Sequence, residues 1–195
     1  MRRLIGLLGS VALAATARTG AAQWGLSVDV GAARFAGTAR DSSGASLGPY
    51  RPTTFSVRVD RELGPIRVGV GVMYARTGLA GEQDRVAVVF YDRASLVEVA
   101  PAIVIRVACF GAGVVTRVEA GPALDLWDVD DVTRTRVGAR GGLGLEWPLG
   151  GRFTGSFHAT GVLSGSVMNR DEAPAGVERR ATRRGSVSIG LGYRL

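Results

Sequence analysis

The chain has no lysine: all 24 of its basic residues are arginine. It has one cysteine, Cys109, so no intramolecular disulfide can hold it together. It has one histidine, His158, and the two residues together are too few ligands for a metal centre at any recognised spacing. Asp128, Asp130 and Asp131 resemble half of a calcium loop, but the loop's glycine and closing glutamate are missing. An exposed acidic stretch is the expectation there, and no metal or cofactor is expected anywhere. The arginines are scattered among acids and are not interleaved with aromatics, so nothing points to nucleic acid. Glycine is abundant, at 29 of 195 residues, yet without a Gly-X-Y period, which excludes collagen. Beyond residue 23 no apolar run approaches the roughly 20 residues that a transmembrane helix needs.

What is present begins with a targeting segment. Arg2 and Arg3 precede an apolar run from Leu4 to Ala15, and small residues follow as far as Gly20-Ala21-Ala22. Charge, apolar core and small-residue site together predict a secretory signal peptide over residues 1–22, cut after Ala22 and leaving one domain over 23–195. No cysteine follows the cleavage point to take a lipid anchor. The cut removes Arg2, Arg3 and Arg18 and no acid, so the formal charge falls from +7 to +4.

The rest of the chain alternates with period two, the mark of strands with two unlike faces. Leu26, Val28, Val30 and Ala32 alternate with Ser27, Asp29 and Gly31. Phe55, Val57 and Val59 oppose Ser56, Arg58 and Asp60, and Ile66, Val68, Val70, Val72 and Tyr74 oppose Arg67, Gly69 and Gly71. Further segments set Val97–Val107 against Glu98 and Arg106, Val118–Leu126 against Arg117, Glu119 and Asp125, and Val137–Trp147 against Arg136, Arg140 and Glu146. A seventh runs from Arg152 to about Ser164, and an eighth, Ser186–Leu195, alternates up to the last residue. Long polar connections (Gly37–Thr53, Thr77–Ser95, Asp128–Thr135, Gly165–Gly185) alternate with short links at Arg61–Pro65, Ala108–Gly113 and Pro148–Gly151. Val86–Tyr91 belongs to the connection before the fourth strand or to a strand extension beyond the membrane.

An apolar face and a Gly-, Ser- and charge-rich face, with all long connections on one side, predict a transmembrane barrel. Inside hydrocarbon every backbone polar group must pair, so the sheet must close on itself. The expected fold is therefore all-β: a closed antiparallel up-and-down transmembrane barrel of eight strands, with Ser186–Leu195 pairing the first strand near Trp24. Trp24, Tyr74, Trp127, Trp147 and Tyr193 are expected at the membrane interfaces. A secreted lipocalin-like barrel is the alternative; arginine and glutamate on every inner face argue against its ligand cavity.

The terminal Val187-x-Ile-x-Leu-x-Tyr-x-Leu195 resembles the last strand of small bacterial outer-membrane β-barrels, apart from a leucine where a terminal aromatic is usual. Leu96-Val-Glu-Val-Ala-Pro-Ala-Ile-Val-Ile105 resembles the Leu-Glu-Ile-Pro-Leu-Leu strand of the porin-like outer-membrane β-barrel families, and Ala120-Gly-Pro-Ala-Leu124 resembles the Gly-Pro strand after it. The resemblance implies residence in the bacterial outer membrane, insertion by the outer-membrane assembly machinery, contact with outer-membrane lipid and lipopolysaccharide, and no shared catalytic chemistry. A monomer is expected.

An eight-stranded barrel is just wide enough to be filled by side chains. Parity turns Asp29, Asp60, Glu98, Glu119, Asp125 and Glu146 inward with Arg58, Arg67, Arg106, Arg117, Arg136, Arg140 and Arg194. A near-balanced ion-pair network plugging the lumen is the expectation, because an unpaired charge there would cost several kcal/mol. Arg179, Arg180, Arg183 and Arg184 in the last long loop are candidate contacts for lipopolysaccharide phosphates. His158 shares a face with Ser156 and Thr160; an interior hydrogen-bonded histidine is favoured over a general base in a lipid-modifying enzyme. The function that follows is a non-enzymatic structural or surface-interaction barrel, with a narrow pore or carrier for small or hydrophobic solutes as the alternative.

Overall fold

The structure is a computed structural model that describes residues 23–36, 39–40, 46–49, 52–83, 86–129, 132–166, 178–179 and 181–195, without the side chains of 39–40, 46–49, 77–93 and 178–179. The signal-peptide expectation over 1–22 lies outside the described residues. Eight long strands run in chain order: β1 (Trp24–Ala36), β2 (Thr53–Leu63), β3 (Ile66–Gln83), β4 (Val86–Cys109), β5 (Val115–Val129), β6 (Val132–Gly150), β7 (Phe153–Ser164) and β8 (Thr182–Arg194). Three short strand segments, Ala39–Arg40, Ser46–Pro49 and Glu178–Arg179, extend the sheet at one end.

Each long strand pairs antiparallel with its chain neighbours, and β8 pairs with β1, so the sheet closes as an up-and-down barrel. The seam runs from Gly25 opposite Arg194 to Ala36 opposite Arg183. Beyond it the Leu195 N–H donates to the Trp24 carbonyl at 2.9 Å. The terminal strand therefore has the partner that its alternation demanded.

Short turns share the end that holds Trp24 and Leu195. Pairing runs to Leu63 opposite Ile66, leaving Gly64-Pro65 as a two-residue turn. Gly64, at φ +67°, supplies the positive φ wanted at the first turn position, and proline the negative φ after it. At the other end two expected loops turn out to be mostly strand. β5 and β6 pair as far as Val129 opposite Val132, so only residues 130–131 remain of the Asp128–Thr135 connection. β3 and β4 pair out to Gln83 opposite Val86 through a bulge between Thr77 and Leu79, so Val86–Tyr91 is a strand extension. These stretches lack clean alternation because a hairpin projecting past the membrane has no apolar medium on either face to impose one.

The two faces sort as the alternation requires. Val28, Val57, Val70, Ile103, Leu143, Ile189 and Leu191 are exposed on the outer wall, whereas Glu98, Asp125, Glu119 and Arg67 are buried inside. A lipocalin-like barrel would invert this arrangement, and an apolar outer wall of this extent has only the bilayer to cover it. Among the described residues no helix is long and apolar enough to cross a membrane; the strands make the crossing.

The β4–β5 ladder has a local break. Register pairs run to Val99 opposite Leu124 and resume at Ile103 opposite Ala120. Pro101 and Pro122, which have no N–H to donate, fall in the gap. A Cβ on Gly121 would run into the Pro101 carbonyl, so the absence of a side chain lets the two strands approach. The two motifs that carry the family resemblance are therefore neighbours in space.

Candidate functional site

The lumen holds the chemistry, in three tiers. Strand alternation sends one residue in two inward, and charged residues occupy such positions on seven of the eight strands, with His158 on β7.

The tier nearest the short turns centres on Glu146 and Glu62. Arg67 places Nη1 2.6 Å from Glu146 Oε1 and Nη2 3.2 Å from Oε2, a two-pronged grip across the lumen from β3 to β6. Arg117 donates from Nε to the same carboxylate at 2.9 Å, and its Nη2 lies 3.4 Å from Glu62. Arg106 reaches Glu62 at 2.8 Å and Arg194 reaches Asp60 at 3.0 Å, while Arg67 Nε lies 3.2 Å from Asp60. Arg106, with 40% of its side chain exposed, stands at the mouth.

In the middle tier, Arg140 bridges Glu98 at 2.7 Å and Glu119 at 2.8 Å, and Arg58 holds the other Glu119 oxygen at 2.8 Å. Asp29 accepts from Ser56 at 3.3 Å and from Ser156 at 3.4 Å, with His158 Nε2 3.8 Å away. Above them Arg184 pairs with Glu98 and lies 3.6 Å from Asp125. Arg184–Glu98 joins diametrically opposite strands, and Arg67–Glu146, Arg58–Glu119 and Arg117–Glu62 join strands three apart, so these contacts brace the barrel across its lumen.

The third tier, toward the long connections, is apolar. Met73, Ala75, Ala94, Leu96, Trp127 and Val129 form a buried cluster, with Phe35 packed against it. Phe35 of β1 meets Trp127 of β5 edge to face at 5.4 Å between ring centroids, spanning the lumen, and the Arg184 guanidinium sits 5.8 Å from the Phe35 ring centre. The void beside Arg58, Asp60, Arg67, Glu146, Ser156 and His158 measures about 20 Å³. That is room for about one water molecule.

Of the residues assigned inward by parity, Asp29, Arg58, Asp60, Arg67, Glu98, Arg106, Arg117, Glu119, Asp125, Arg140, Glu146 and Arg194 meet in this network. Arg136 lies toward the far end, donating to the Ser166 carbonyl at 2.5 Å and the Thr135 carbonyl at 3.0 Å. The sequence reading misses two members. Glu62 falls within the expected turn, though it continues the inward row of Arg58 and Asp60; the alternation simply persists to the hairpin. Arg184, expected in the outer loop as a phosphate contact, is instead 5% exposed and faces the lumen, two residues before Ser186 on the same face of β8. Arg183 faces outward and is exposed. The side chains of Arg179 and Arg180 lie outside the described residues.

The aromatics divide in the same way. Trp24 and Tyr74 are exposed on the outer wall, Trp24 with the Arg61 guanidinium 5.8 Å from its ring centre. Tyr193 packs on Phe153 at 5.0 Å, and Trp147 lies over Gly155, whose Cβ would collide with the indole. Trp127 departs from the expected girdle: it is fully buried inside the barrel. It shares the face of Asp125 on β5, so parity governs it rather than its place near a strand end.

Solved structures carry the same architecture. Neisserial surface protein A superposes with a TM-score of 0.61 at 12% identity, covering 88% of this chain and 97% of that one. The fold is that of the small bacterial outer-membrane β-barrels. A major outer membrane protein from Thermus thermophilus matches at a TM-score of 0.53 and 12% identity over 88% of this chain and 99% of that one. The outer membrane protein OprG from Pseudomonas aeruginosa matches at 0.51 and 11% over 90% and 96%. No protein-family model and no curated protein matches the sequence. Similarity to these outer-membrane barrels lies in the wall and its topology; at such identities the lumen residues must be read on their own terms.

Proposed function

We propose that this outer-membrane barrel is a sealed, monomeric, non-enzymatic structural element that acts at the cell surface through its outer face and not by conducting solute. One observation carries the reading: among the described residues the lumen is crossed by charge-assisted pairs and, beyond them, by an apolar tier in which Phe35 meets Trp127. Moving a solute through would require breaking several buried pairs, each costing on the order of 3–5 kcal/mol when one partner is withdrawn.

A catalytic role for His158 is disfavoured by its place. It faces the lumen beside Asp29, and the Ser156 hydroxyl donates to that same carboxylate, so membrane lipid on the outer wall does not reach the group. The expected partners are outer-membrane lipid, lipopolysaccharide and, during biogenesis, the assembly machinery that reads the last strand.

Single-channel recording of the refolded barrel in planar bilayers tests the proposal. Closed traces at voltages that leave the bilayer intact are expected; steady unitary conductance would favour the narrow-pore reading instead. His158→Ala with mass analysis of lipid A tests the non-enzymatic part, and an unchanged lipid profile is expected.

A further inference from the structure

The outer wall is not evenly ridged. Gly141 of β6, Gly161 of β7 and Gly185 of β8 lie side by side in register, and the row ends on Arg34 of β1. One step toward the long connections comes the row Ala139, Leu163, Arg183 and Ala36; one step the other way comes Leu143, Ala159, Val187 and Ala32. Where the glycines fall, the wall recedes into a groove of about 750 Å³. At Gly161 and Gly185 an added Cβ would meet nothing within 4 Å, so the space opens outward.

Four arginines line this groove: Arg140 and Arg184 belong to the lumen face, where both pair with Glu98, and Arg34 and Arg183 stand at its upper edge on the outer wall. Arg34 and Arg183 are both exposed, face outward, and sit diagonally across the β1–β8 seam, where side chains come within roughly 7–8 Å. Among the described residues neither is paired with an acid. Their height explains why they are tolerated. Arg34 lies ten residues along β1 from Trp24, which at ~3.4 Å per residue and a tilt of ~40° is roughly 26 Å, the far edge of an apolar band about 25 Å tall. There a guanidinium meets lipid phosphate instead of hydrocarbon.

We propose that this groove seats an acyl chain of the phosphorylated glycolipid of the outer leaflet, with Arg34 and Arg183 holding its phosphate together. The assignment rests on the outer-membrane reading above. Charge selects the occupant. A phosphomonoester carries about −1.5 to −2 and matches two adjacent guanidiniums, whereas a phospholipid diester carries only one charge. A second copy of the barrel facing this wall would bring four guanidiniums together without a counter-charge.

The test is native mass spectrometry of the refolded full barrel with hexa-acylated lipid A, with phosphatidylglycerol as the competing anionic lipid. Wild type should retain one lipid A through detergent release in preference to phosphatidylglycerol. Arg34→Gln/Arg183→Gln, which removes the phosphate grip, and Gly161→Leu/Gly185→Leu, which fills the groove, should each lower lipid A occupancy about tenfold. Val57→Leu on another part of the wall should not. Heat-dependent gel migration checks that every variant is folded, and the outward glycine positions give no backbone reason for failure. Unchanged occupancy in both double variants, equal retention of phosphatidylglycerol, or a protein dimer in place of a lipid adduct would overturn the proposal. A barrel that inserts into vesicles yet holds no lipid A overturns this inference alone, while failure to insert at all overturns the outer-membrane reading with it.

Discussion

Glu98 is the sharpest place to probe the lumen. It is completely buried and serves two arginines from different strands, Arg140 of β6 at 2.7 Å and Arg184 of β8. In Glu98→Gln the carboxylate charge is lost while the shape is kept. Arg140 still has Glu119 at 2.8 Å, but Arg184 is left with Asp125 at 3.6 Å, too long for a hydrogen bond. Removing one partner of a buried pair costs about 3–5 kcal/mol, and the surviving contacts argue for the lower end, about 3 kcal/mol. Arg184→Met leaves Glu98 with Arg140 but strips Asp125 of its nearest cation, for a similar loss. The double variant removes cation and anion together beneath an apolar tier that can pack against methionine, so its loss should fall short of the sum by about 2 kcal/mol. Urea titration of folding into lipid vesicles, followed by tryptophan fluorescence, measures all three. Additive losses, or single losses under about 0.5 kcal/mol, would refute the idea that this network sustains the barrel.

Other expectations follow from the same geometry. Trp127→Ala should cost about 3–5 kcal/mol in that vesicle assay, as for a large buried aromatic, whereas Trp24→Ala on the outer wall should cost clearly less; equal losses would argue against the lumen position. Gly121→Val should block or slow assembly, seen as loss of the heat-modifiable gel band, because its Cβ has no room beside Pro101; Gly161→Val, with open space, should fold normally. Emptying the middle tier with Arg58→Ala/Glu119→Ala/Arg140→Ala should leave single-channel traces closed while Phe35 and Trp127 still span the lumen, and adding Phe35→Ala/Trp127→Ala should raise the conductance above the closed traces expected of the wild type. Truncating Tyr193–Leu195 removes the register pairs to Gly25 and Leu26 and the bond to the Trp24 carbonyl, and should abolish the folded band.

Much of this is legible without coordinates. Wherever one wall faces hydrocarbon and the other faces charge, the period-two signal is forced, and it places Asp29, Arg58, Glu119 and Arg140 correctly because each sits mid-span. Errors gather at strand ends. Glu62 and Arg184 look like turn or loop because Gly and Pro, or arginine repeats, lie next to them, although the alternation runs on through both. Trp127 is misplaced when residue type is weighed above parity, since a tryptophan is as well accommodated under a plug as at an interface. The paired extension beyond Thr77 leaves little trace, since backbone ladders hold it without help from a buried face. Nor can the glycine row be seen in one dimension, because Gly141, Gly161 and Gly185 become neighbours only once the inter-strand register is fixed.

The unlike ends of the interior give the barrel a direction. Aromatic and aliphatic side chains stopper one end, while ionic groups, including the half-open Arg106, reach the other. Solvent exchange with the charged section must therefore run chiefly through the opening at the short-turn end, as in a flask with its cork at the end of the long connections. Salt or acid applied at the end of the long connections would reach those groups slowly, and the same change at the short-turn end would reach them sooner.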